Sequence, residues 1–152
     1  MTAAQATQLP EVGLWLTLDR VYATLSRNLH NKLGAFGLTT PQYRVLRRLH
    51  SSPQSAAQLA DGLGVTAGNL TGVLDRLEAA GLLTRERDPQ DRRSLRLGLS
   101  PAGQALVERA APQMRAHVQS LFAPLNAAEV EDLTDMLARL DTHLNAPAAV
   151  GA

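Results

Sequence analysis

The sequence predicts a mainly α-helical chain with one small β-hairpin, and three observations carry that reading. Ala and Leu dominate while aromatic residues make up only 3%, a balance that favours helices. Apolar side chains recur every three or four positions over most of the chain, the spacing of a helix face. Residues 82–99 alone switch to alternation with period two, the mark of strands.

Taken in order, Leu14, Leu18, Val21, Tyr22, Leu25, Leu29 and Leu33 form the stripe of a long first helix from Pro10, closed by Gly34 and Gly37. Thr40 is expected to cap a second helix, with Pro41 at its first position and Tyr43, Leu46 and Leu49 inward. Ser52-Pro53 interrupts, and Ser55 can cap a short third helix, AAQLADGL. Gly64 supplies a tight turn, after which Thr66 can cap a fourth helix reaching Ala80. Its inward stripe is Leu70, Val73, Leu74 and Leu77, and Gly81 stops it. A two-stranded hairpin follows, with Leu95, Leu97 and Leu99 alternating behind the turn cluster DPQDRR. Ser100-Pro101 starts a long fifth helix with Leu106, Ala110, Met114, Val118 and Leu121 along one side. Asn126 opens the last helix, with Glu129 placed to complete its cap.

At 152 residues the chain has the size of one domain, 1–152. A lobe at 38–100 is flanked by long helices at 10–37 and 101–145. No cysteine is present, which excludes disulfides, thiolate metal sites and a thiol switch. The N-terminus lacks the basic opening of a signal peptide. No apolar run approaches the roughly 20 residues of a membrane helix, so no membrane partner is expected and a cytoplasmic location is. His30, His50, His117 and His143 are dispersed and without close acidic company, so no metal site is expected. Nucleophile–base spacings and glycine-rich phosphate loops are absent, which points away from an enzyme and from a cofactor.

The last helix carries Val130, Leu133, Leu137, Leu140 and Leu144 at spacings of three, four, three and four, a coiled-coil seam. Such a seam can pack within one chain or against a second copy. Because Leu14 and Leu18 on the long first helix offer another seam, the expectation is a homodimer built by both chain ends.

The middle of the chain reads as one device. Residues 40–100 hold nine arginines against six acids, a net of +3, whereas residues 101–152 hold three arginines against six acids, a net of −3. A basic middle suits a polyanion. Short helix, glycine turn, capped helix and hairpin form a winged helix-turn-helix. The second helix of the pair would offer Thr66, Ala67, Gly68, Asn69, Thr71 and Gly72 at its N-terminal end, with Arg76 beyond them, to double-stranded DNA. Asn69 is the best base reader, since a carboxamide can pair bidentately with an adenine edge. In RERDPQDRRSLR five arginines crowd the hairpin. Arginine's flat, weakly hydrated cation suits a narrow minor groove, so Arg92 and Arg93 are expected at the wing tip, with Asp91 holding Arg93 by a forked pair. A salt-bridged solubilising turn would use the same residues. A winged helix can also serve as a protein-interaction module; steep salt dependence of binding separates the two readings.

These residues resemble a family. LTTPQYRVLRRLH, QLADGLGV, NLTGVLDRLEAAGLLTRERDPQDRRS and LSPAGQAL, in that order, are similar to the MarR family of bacterial transcription regulators. The resemblance covers residues 38–106 in detail and the flanking helices in layout. It implies a homodimeric winged-helix protein on a palindromic operator, usually a repressor, with Asp91 and Arg93 acting at the wing tip. It also implies a small anionic or phenolic effector between the dimerisation helices and the DNA-binding lobe, where Trp15, His30 and Arg48 are candidates for stacking, hydrogen bonding and carboxylate pairing. Peroxide sensing through an N-terminal cysteine is excluded here.

Overall fold

The structure is a computed structural model that describes residues 9–89 and 95–146. Its elements are α1 (Pro10–Gly34), α2 (Thr40–Ser51), β1 (Gln54–Ser55), α3 (Ala56–Leu63), α4 (Ala67–Ala79), β2 (Leu83–Arg87), β3 (Leu95–Leu99), α5 (Pro101–Leu121) and α6 (Ala127–Asn145). No described helix is long and apolar enough to cross a membrane.

Helix starts follow side-chain chemistry. Ser55 caps α3 in a reciprocal box with Gln58, and Asn126 caps α6 in a box with Glu129. The cap of α2 is Thr39, not Thr40. The Thr39 hydroxyl accepts from the Gln42 amide at 3.4 Å while the Gln42 side chain accepts from the Thr39 amide at 2.9 Å. Three residues beyond Thr40 stands Tyr43, which has no short acceptor to reach back, so the box selects the earlier threonine. Pro41 is then the second helical residue, where a missing N–H costs nothing.

The sheet has three strands in the order β1-β3-β2, one more than the hairpin expected. β1 pairs Gln54 with Leu97 and Ser55 with Arg96, antiparallel. Two residues between a proline and a helix cap are too few to alternate, so this strand leaves no periodic signature. In the hairpin Leu83 faces Leu99 and Arg87 faces Leu95. Of the three alternating leucines, Leu97 is buried at 2% exposure while Leu95 stands 49% exposed.

Two compact units divide the chain, one through His117 and one from Val118. The first holds the core: Leu33, Val45, Leu46, Leu59, Leu77, Leu97 and Val107 are fully buried. The start of α5 is fixed tightly to the end of the α4 segment. The Ser100 hydroxyl donates to the Gly81 carbonyl at 2.6 Å and accepts from the Gly103 amide at 3.0 Å. A Cβ on Gly103 would strike the Leu82 carbonyl, which gives the SPAG segment a packing reason. On α1 only Leu33 is buried, and Leu14 and Trp15 are exposed. In the second unit α6 buries no residue.

Candidate nucleic-acid interface

The helix-turn-helix is set by a local reversal. Gly64 ends α3 in the left-handed region at φ 65°, which glycine alone adopts without strain, and its amide bonds back to Ala60 and Asp61. Thr66 then caps α4, its hydroxyl accepting from the Asn69 amide at 3.3 Å. One face of α4 is fixed inward by Leu70, Leu74 and Leu77, none more than 3% exposed.

That packing turns the remaining faces outward. Thr66, Ala67, Gly68, Asn69, Thr71, Gly72 and Arg76 are all exposed. The Thr71 hydroxyl donates to the Ala67 carbonyl at 2.9 Å, so its proton is used internally while its oxygen can still accept. The Asn69 carboxamide makes no hydrogen bond among the described residues. A Cβ on Gly68 or Gly72 would meet nothing within 4 Å, so the chain's own packing does not require either glycine. Their smallness admits close approach from outside.

The exposed surface of α4 also carries two acids that would oppose a polyanion. Asp75 and Glu78 are both engaged by Arg85 of β2, at 2.6 Å and 2.8 Å. This charge-assisted fork offsets the acids and ties the root of the wing to the helix. Sequence reading missed the role of Arg85. The contact spans seven and ten residues between a helix and a strand, and the only trace in sequence is an arginine at a strand position facing Leu97. On β3, Arg96 donates to the Pro53 carbonyl at 3.3 Å and lies 3.9 Å from Asp88. Asp91, Arg92 and Arg93 lie outside the described residues.

The three effector candidates do not converge within one chain. Trp15 and His30 are fifteen positions apart on the continuous helix α1, about 22 Å of rise, and both side chains are exposed. Arg48 sits on α2, its Nε donating to Gln54 Oε1 at 3.2 Å. Beside it Tyr43 is buried; burial pushes its phenol pKa up, while Arg47 and Arg115 pull the other way, so the hydroxyl is a neutral donor at physiological pH. No cluster of metal-binding side chains occurs among the described residues.

A capped helix-turn-helix with an open polar helix face, backed by a sheet whose hairpin projects beside it, defines a winged helix-turn-helix DNA-binding protein. Residues 36–94 match the profile of the MarR family. The chain is 36% identical over 131 residues, 86% of its length and 94% of the other's, to an HTH-type transcriptional repressor of Mycobacterium bovis. The chain belongs to the MarR family, and it is a DNA-binding transcriptional regulator. Among solved structures it is similar to a mutant MarR of E. coli complexed with operator DNA, at 27% identity and TM-score 0.77 over 89% of this chain and 96% of that one. It is also similar to BpsR of Bordetella bronchiseptica, whose DNA binding is regulated by 6-hydroxynicotinic acid, at 28% identity and TM-score 0.78 over 89% of this chain and 94% of that one.

Proposed function

We propose that the protein acts as a homodimeric repressor on a palindromic operator and is released by a small-molecule effector. The observation that carries the DNA reading is α4 itself: its N-terminal face is exposed, its Asn69 carboxamide is uncommitted, and its two acids are engaged by Arg85. In this reading Asn69 contacts a base edge in the major groove, while Thr66, Ala67, Gly68, Thr71 and Gly72 lie against backbone or a thymine methyl. Arg76 reaches a phosphate, and Asp91, Arg92 and Arg93 form the tip that enters the adjacent minor groove. The similar mutant MarR complexed with operator DNA supports DNA as the partner.

The dimer is assigned to Leu14 and Leu18 of α1 and to Val130, Leu133, Leu137, Leu140 and Leu144 of α6, apolar side chains of which all but the half-buried Leu18 stand at least 36% exposed. Release by a small molecule is supported by BpsR and its 6-hydroxynicotinic acid. Catalysis has no place in this reading, and the protein works where the chromosome is, in the cytoplasm. Hydroxyl-radical footprinting on a bound fragment tests the geometry. Two protected half-sites centred about 10 base pairs apart, or a multiple of that, are expected from a two-fold dimer; a single protected patch contradicts it.

A further inference from the structure

The hairpin changes character at one rung. Strands β2 and β3 pair from Leu83–Leu99 to Arg87–Leu95, whereas β1 covers β3 only at Leu97 and Arg96. Arg96 faces Ser55 on one side and Glu86 on the other, so it is the last three-stranded position before the tip. Beyond it the hairpin is a two-stranded ribbon, which twists and bends more readily than a wider sheet. The direction in which the wing leaves the lobe is decided at this rung.

Alternation along the strands puts Arg85 and Leu97 on one face of the sheet and Glu86 and Arg96 on the other. On the first face Leu97 is buried and Arg85 holds Asp75 and Glu78 of α4. The second face carries an open groove of about 290 Å³, whose lining includes Pro53, Thr84, Glu86, Pro89 and Gly98. The Arg96 side chain spans that face. Its Nη2 donates to the Pro53 carbonyl at 3.3 Å, and its Nε lies 3.9 Å from Asp88 Oδ2. Pro53 precedes β1 and belongs to the lobe, while Asp88 follows β2 and opens the turn sequence DPQDRR. Among the described residues Arg96 forms no ion pair with Glu86, its cross-strand neighbour. Guanidinium donors lie in a rigid fork, so this one side chain ties together segments on opposite sides of β3.

We infer that Arg96 is a positioning residue for the wing. It braces the hairpin against the lobe where the third strand ends, and Arg85 does the same from the α4 face. The inference rests on the reading of the hairpin as a wing that contacts DNA. A wing whose direction is already set loses less conformational freedom when it binds, and that difference appears as affinity. The Arg96 side chain is 43% exposed and that of Asp88 24%. An exposed polar brace of this kind adds little to global stability. Its loss is therefore felt in binding and not in folding.

A double-mutant cycle on a selected operator fragment tests this, with dissociation constants measured at one fixed salt concentration. Arg93→Ala should weaken binding by about tenfold, and Arg96→Met by about fivefold. In the Arg93→Ala background, Arg96→Met should cost less than about twofold, because the tip that it positions has already lost its grip. Arg96→Lys should resemble Arg96→Met, since an ammonium lacks the fork that reaches both partners. Thermal unfolding of the Arg96 variants should stay within about 4 °C of the wild type. Losses that simply add in the double variant would overturn the inference. So would wild-type affinity in Arg96→Lys, which would make Arg96 a DNA-phosphate contact, or a larger drop in unfolding temperature, which would make it a stability residue. Weakened Arg93→Ala beside an unaffected Arg96→Met would overturn the inference alone. Wild-type affinity in Arg93→Ala would instead remove the wing from DNA binding, and the positioning role would fall with it.

Discussion

Helix α4 begins on Thr66 and helix α6 on Asn126, each cap accepting the amide of the residue three positions on. Both carry an apolar stripe at helical spacing. In α4 Leu70, Leu74 and Leu77 are at most 3% exposed, whereas in α6 Val130, Leu133, Leu137 and Leu140 stand between 36% and 42%. The same local rules therefore end in opposite environments. The stripe of α4 is matched by other elements of its own unit, which leaves its opposite face rigidly displayed. A stripe as regular as that of α6 loses free energy in water, and in the homodimer proposed above a second copy of the chain would cover it.

The contrast can be broken at its strongest point by Leu137→Glu combined with Leu140→Glu. Burying carboxylates in an apolar seam should cost about 3 kcal/mol or more of association free energy. Sedimentation velocity should show the dimer lost or the chain unfolded, because subunits of such dimers seldom stand alone. A stable folded monomer with undiminished operator binding would refute the interface.

Next in size is truncation of a fully buried leucine. Leu77→Ala should destabilise by about 2–5 kcal/mol in urea unfolding, by an amount independent of protein concentration. Leu133→Ala should cost a comparable amount in the same assay although Leu133 is 36% exposed in the single chain, because the proposed dimer would bury it. A loss below about 0.5 kcal/mol, the effect of truncating a surface side chain, would remove Leu133 from the proposed interface. The smallest effect is at the cap: Thr66→Ala should cost about 1 kcal/mol in the same assay, and no measurable change would mean that α4 is held by its packing alone.

What was legible in sequence was whatever depends on neighbours within about one turn. Ser55, Thr66 and Asn126 sit before periodic apolar runs, and each caps the helix expected of it. Thr39 and Thr40 are adjacent, and only the reach of Gln42 separates them. β1 was invisible because two residues cannot show a period, and its pairing with Leu97 and Arg96 is long-range. The contact of Arg85 with Asp75 and Glu78 was missed for a related reason, since helix and strand meet only after the chain reverses at Gly81. Trp15 and His30 were joined by chemical type, although their separation along one helix forbids a shared small site in one chain.

The most direct test of sequence-specific reading by α4 is selection of randomised duplex DNA by the purified protein at two salt concentrations, repeated with Asn69→Ala. Enrichment of an inverted repeat that survives the higher salt is expected, with Asn69→Ala relaxing one base pair of each half-site by about 1–3 kcal/mol. Salt-sensitive retention of every sequence, or an unchanged motif in the variant, would contradict it.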